Sequence, residues 1–235
     1  LEVPSVMLPK PTVVQPVGIL AVPWSVLLAA RIHHFRPTRQ IWTAVAVTIV
    51  GIVGFTLISS RTAVPDAQVV PAAVVVGALI VLACGTALGL GGRFGRPSLR
   101  CLLWASGGSF FYGLSSALIK VASQLVGGEN FWESPLVWAV AGILAVCYLG
   151  GGWMIQQAYA NGPAEIVVGS MTTTDPIVAV SFGLVVLGEG ALLGVADALG
   201  MLVAGAVAVS GVVFLSRHHP DSLREPAVVS DAAGV

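Results

Sequence analysis

The chain has 235 residues, of which 56% are hydrophobic and only 9% charged, with a mean hydropathy of +0.93. Soluble domains carry roughly 25% charged residues, so this composition excludes an ordinary soluble enzyme or binding module and predicts an integral membrane protein. Eleven basic residues balance eleven acidic ones to a net charge of +0, which leaves no basic footprint for nucleic acid.

A helix that crosses the hydrocarbon core needs about 20 mostly apolar residues, and seven stretches qualify. The predicted fold is an all-α, polytopic transmembrane bundle. The first span, 12–32, contains Pro23 and runs into the basic stretch RIHHFRPTR. The second, 41–59, is rich in Val and Ile, and SRTAVPDAQVVP after it reads as a loop from its two prolines and its charges. The third, 72–90, closes on GLGGRFGRPSLR. The fourth, 101–126, carries Lys120 and leads into GGENFWESP. The fifth, 136–160, is separated from the sixth, 164–187, by the turn NGP, and the seventh is 192–215. The polar tail beyond it is expected to be disordered. Two spans thus fall in 1–61, five in 62–216, and the tail is 217–235.

With seven spans, alternate connections share a side. Arg31, Arg36, Arg39, Arg93, Arg96, Arg100, Arg217 and Arg224 fall on one side, Lys10 and Arg61 on the other, and Lys120 within a span. The arginine-rich side is expected to be cytoplasmic, with the C-terminus inside and the chain in the plasma (inner) membrane. Asp66, Glu129 and Glu133 belong to the outer loops. The pairs His33-His34 and His218-His219 flank cytoplasmic span ends and read as basic interfacial residues, so no metal site is expected.

Ionisable groups inside a span are costly and usually face a cavity or a partner. Asp175 has at least ten residues of span on either side. Pro176 removes a backbone donor and frees a carbonyl one turn earlier, and Thr172, Thr173 and Thr174 can bond to that carbonyl or to Asp175. This polar weak point suits a binding site, a hinge or a braced kink. Lys120 either lines a solute path or snorkels to the outer interface. Glu189 is expected at the outer end with its charge in water, behind a tight turn at Gly188, and Asp197 several residues inside the seventh span. Gln157, Trp153 and Tyr112 could line a cavity, while Trp24, Trp104 and Trp138 suit interface anchors. The spacings Gly85/Gly89 and Gly190/Gly194 suit close helix packing. Cys84, Cys101 and Cys147 read as small buried apolar residues.

Placing Pro23 on Pro176 lays TVVQPVGILAVPWSVLLAARI over EIVVGSMTTTDPIVAVSFGLV. In both copies a second Gly- and Val-rich span follows, VAVTIVGIVGFTLISSR and MLVAGAVAVSGVVFLSR, each ending in Ser-Arg. The copies begin on opposite sides by the charge count, as inverted repeats of carriers do. At these residues, at LGE (Leu187, Gly188, Glu189) and at AYANGPAEIVVGSM, the chain resembles the EamA-type carriers of the drug/metabolite transporter superfamily. The resemblance covers about residues 12–216 and departs at Phe35-Arg36, where the first repeat lacks Gly-Glu. It implies a ten-helix inverted-repeat carrier of which this chain holds helices four to ten, the first three being absent.

The function expected is secondary transport, by alternating access, of a small metabolite or drug-like solute, with efflux as the direction. The solute path is expected to include Lys120, Asp175, Pro176, Thr174, Gln157 and Tyr112. No cofactor and no catalytic residue are expected, since there is no HExxH and no Gly-x-Ser-x-Gly. The partners expected are the small solute, a coupling proton or cation, the lipid bilayer and a second copy in a homodimer, with no nucleic acid. Alternatives are a non-transporting or degenerate membrane subunit, a magnesium transporter of the same superfamily, and an intramembrane enzyme.

Overall fold

A computed structural model describes residues 21–32, 38–62, 70–126, 131–190 and 193–218. Among the described residues the chain forms seven α-helices and one 3-10 turn, with no strand. They are α1 (Ala21–Ile32), α2 (Arg39–Thr62), α3 (Pro71–Phe94), α4 (Pro97–Val126), α5 (Pro135–Ala160), α6 (Ala164–Val185) and α7 (Val195–His218). The six from α2 to α7 are long and apolar enough to cross a membrane. Helix α1 is described for 12 residues. The start of the first predicted span, His33, His34 and the polar tail beyond His218 lie outside the described residues.

Prolines set several helix starts. Pro71, Pro97 and Pro135 open α3, α4 and α5, and Pro163 stands in extended backbone just before α6. A first-turn proline loses nothing, because its missing N–H would have no partner there. Pro97 therefore begins α4 four residues before the expected start. Helix α3 likewise continues past Leu90 to Phe94.

The bundle is organised around α4, which packs against α3, α5 and α6. Its buried Leu114, Leu118 and Val121 join Val74 and Ala78 of α3, Cys147 and Ile155 of α5 and Ile166 of α6 in one apolar core. Helix α2 packs along α7, and α1 along α6. Lipid competes for apolar faces, so helix association in a membrane depends on close packing by small residues. At the α2–α7 seam Gly51 lies against the backbone of Ala208 and Ala204. Thr48 lies against Gly211, Phe55 near Gly205 and Ile58 near Gly200. The numbers rise on one helix as they fall on the other, so the two run antiparallel.

The same reasoning orients the rest. Between α3 and α4, a Cβ at Gly107 would stand 2.8 Å from the Gly85 carbonyl oxygen and 3.1 Å from the Gly89 nitrogen. Gly85 and Gly89 thus serve the close packing expected of them. Between α4 and α6 the contacts Ser106 to Ser170 and Gly113 to Asp175 rise together, so these helices are parallel. The outward faces carry bare apolar side chains such as Leu149 at 77% and Leu202 at 69% exposure.

Four expectations need correction. Asp197 lies in the first turn of α7 and is exposed, because the helix begins only at Val195; a negative charge there complements the helix dipole. Gly190 and Gly194 lie outside the helices, in the α6–α7 connection, and are no helix-packing motif. Trp104 is buried against Gly89 and Gly92 rather than anchored at an interface, whereas Trp24 and Trp138 are exposed. Cys84 is exposed on α3, while Cys101 and Cys147 are buried.

Candidate functional site

The polar residues of the bundle collect in three places along α4. The first is its seam with α6. Ser106 and Ser170 share a hydroxyl–hydroxyl hydrogen bond of 3.0 Å. One turn on, the fully buried Ser109 donates to the Ala105 carbonyl at 2.8 Å and lies beside the Asp175 carboxyl. Gly113 then brings the backbones together: a Cβ there would stand 2.7 Å from the Asp175 carbonyl oxygen and 2.8 Å from Cβ of Val178.

Helix α6 runs unbroken through Pro176. The proline has no N–H to give the Thr172 carbonyl. The Thr172 hydroxyl donates one turn back, to Val168 at 2.9 Å and Gly169 at 3.2 Å. Thr173 Oγ1 and Asp175 Oδ1 are buried with no hydrogen-bond partner among the described residues, and Thr174 is half-buried. The expected bracing of Asp175 by the threonines is therefore not what the helix does. A helical threonine hydroxyl most easily reaches a carbonyl on its own preceding turn, which draws Thr172 away from the carboxylate.

The second place is the end of α4. Gly188, at φ 71, turns the chain back after α6, a left-handed conformation that glycine adopts without a Cβ penalty. The Glu189 N–H donates to the Gly183 carbonyl at 3.2 Å. The carboxylate of Glu189 lies over Gly183, where a Cβ would meet Oε2 at 2.7 Å. There it accepts a hydrogen bond from Lys120 Nζ. The Lys120 side chain is 44% exposed and that of Glu189 11%. Glu189 thus does not face water as expected: the reversal at Gly188 and the bare Gly183 let it fold inward onto the lysine.

The third place is the arginine end of the bundle, where Gln157 and Trp153 of α5 line a cavity of about 250 Å³ with Arg93, Arg100, Trp104 and Asn161. Tyr112, expected beside them, is elsewhere on the α4–α5 face, with its ring edge-on to Tyr148 at 6.1 Å between centroids.

Asp175, Pro176 and Thr174 therefore share one helix, Lys120 belongs to the pair at the far end of α4, and Gln157 belongs to the cavity at the other end. The sequence reading missed Glu165, which is buried in the first turn of α6 beside Cys101. An acidic residue just behind the NGP turn, at a helix N-terminus that favours negative charge, was the signal available. Among the described residues no group of three or more His, Cys, Asp or Glu side chains could hold a metal ion. No family model matches the chain, and no curated protein or solved structure matches it.

Proposed function

We propose that the chain is a secondary membrane carrier of the EamA type, which moves a small metabolite or drug-like solute outward by alternating access, with the arginine-rich side in the cytoplasm. The observation that carries this reading is Asp175. Its Oδ1 is buried in the middle of α6, next to a proline, with no hydrogen-bond partner among the described residues, on a helix that touches α1, α2, α4, α5 and α7. A carboxylate oxygen buried without a partner, with only the Ser109 hydroxyl beside the group, is a cost to a static bundle. The cost is offset if the group meets a proton or solute in another state of the cycle.

The α2–α7 seam is compatible with the alternating part. Aligning Ser60-Arg61 with Ser216-Arg217 lays Thr48 on Ala204 and Phe55 on Gly211. Thr48 in fact touches Gly211, while Phe55 lies near Gly205, next to Ala204. Any antiparallel pair of helices exchanges partners in this way, so the seam is compatible with inverted repeats, and carriers of that design rock one repeat against the other.

The test uses vesicles reconstituted with the purified chain, loaded with a pH-sensitive dye and offered amino acids, nucleosides and cationic dyes in turn. One class should drive proton movement in the wild type. Asp175→Asn should lose that movement yet still exchange labelled solute across the membrane. Absence of both proton movement and exchange for every class would overturn the carrier reading. Wild-type proton movement in Asp175→Asn would remove Asp175 from coupling.

A further inference from the structure

Of the residues expected on the solute path, the cavity at the arginine end holds Gln157 alone, and its lining is chemically one-sided. Arg93 comes from the last turn of α3, Arg100 from the first turn of α4, and Gln157 from near the end of α5. The Arg100 Nε donates to the Gly95 carbonyl at 3.5 Å, which holds the guanidinium at the mouth of the α3–α4 connection. Neither Arg93 nor Arg100 pairs with a carboxylate among the described residues. Two cationic forks facing one space without a counter-charge repel each other unless an anion lies between them.

The other walls are aromatic. Trp104, buried, and Trp153, half-exposed, meet edge to face with centroids 5.2 Å apart and planes at 87°. Gly92 makes this possible, since a Cβ there would stand 2.9 Å from Trp104 Cδ1. The Asn161 amide donates to the Gln157 carbonyl at 2.7 Å, which fixes the rim at the end of α5. A volume of about 250 Å³ holds a phosphate with a few carbon atoms. Guanidinium forks match the oxygens of a phosphate, and tryptophan edges suit the carbons beyond it.

We propose that this cavity binds a phosphate-bearing group on Arg93 and Arg100, with its adjoining carbons against Trp104 and Trp153. The group can come from an anionic phospholipid headgroup or from a soluble phosphate ester, and one experiment separates the two. The purified full chain in neutral detergent is titrated with dioleoyl phosphatidylglycerol, with dioleoyl phosphatidylcholine, and with glycerol 3-phosphate at fixed ionic strength, and the thermal unfolding midpoint is followed. A saturable rise with phosphatidylglycerol alone identifies a headgroup site; a rise with glycerol 3-phosphate identifies a site open to soluble esters. In either case Arg93→Gln should weaken apparent binding about tenfold, the loss of one charge-assisted contact, and the Arg93→Gln/Arg100→Gln pair should abolish it. Arg93 is exposed, with its guanidinium 5.7 Å from the centroid of the Phe94 ring, so its single variant should fold even if the double one does not. An equal rise with phosphatidylcholine, an unchanged affinity in Arg93→Gln, or no rise with any of the three would overturn the proposal.

Discussion

Lys120 and Glu189 are unequally exposed, and the inequality decides what each substitution does. Lys120→Met leaves a carboxylate folded over Gly183 with no cation beside it, and an unsatisfied buried group costs about 1–3 kcal/mol, more when charged. Glu189→Gln leaves a lysine whose half-exposed stem can carry its charge to the interface. The methionine variant should therefore melt several degrees lower in detergent than the glutamine variant, and the Lys120→Met/Glu189→Gln double variant should recover most of the difference. Equal melting points for the two single variants would show that the pair contributes nothing. Little of this pair is legible in the chain, because its partners are 69 residues apart and meet only through the φ of Gly188 and the missing side chain of Gly183. Asp175 was legible for the opposite reason. A carboxylate before a proline in the middle of an apolar span is a local pattern, and no tertiary contact is needed to see it.

Helices meet in this bundle where side chains are missing, so the same substitution has opposite effects at different glycines. A Cβ at Gly51 would stand 2.6 Å from Cα of Ala208 and 2.8 Å from the Ala204 carbonyl oxygen, both backbone atoms that cannot swing aside. Gly142 on α5 has nothing within 4 Å of such an atom. Gly51→Val should force α2 off α7 at a cost of about 3 kcal/mol or more, beyond the usual range for overpacking because backbone must move. Gly142→Val should be near neutral. Size-exclusion profiles and melting points of the two variants in detergent check this, and a stable, monodisperse Gly51→Val would show that the seam is loose. Spans α2 to α7 were legible because hydropathy over some twenty residues is a coarse, additive signal. Their ends were less so: glycines 91 and 92 look like a loop but continue α3 beside Leu103 and Trp104, and the glycines after Val185 delay α7 and leave Asp197 at its exposed start. Which helix packs on which depends on the fit of small residues across a seam, and only the shared Ser-Arg ending of α2 and α7 hinted at their pairing.

Packing contacts give the relative directions of several helices, and with the chain connections these indicate where the charges gather. Helix α4 is antiparallel to α3 and parallel to α6, and α2 is antiparallel to α7. Short connections reverse the chain between consecutive helices. Arg31, Arg39, Arg93, Arg96 and Arg100 thus fall at one end of the bundle. Arg61 falls at the other with Glu133, Glu189 and Asp197. Arginines near span ends are retained on the cytoplasmic side, so the α3–α4 connection should face the cytoplasm and the 3-10 turn Phe131–Glu133 the outside. Arg96 and Trp132 are exposed at these two ends, and each can carry a reporter thiol once the exposed Cys84 is changed to serine. In intact cells an impermeant maleimide should label the Trp132→Cys variant and leave Arg96→Cys unlabelled until the membrane is permeabilised. The reverse pattern would keep the bundle and invert it in the membrane. Labelling of both from outside would mean that the two connections do not lie on opposite sides, and the alternating path of the chain, with the charge segregation built on it, would be wrong.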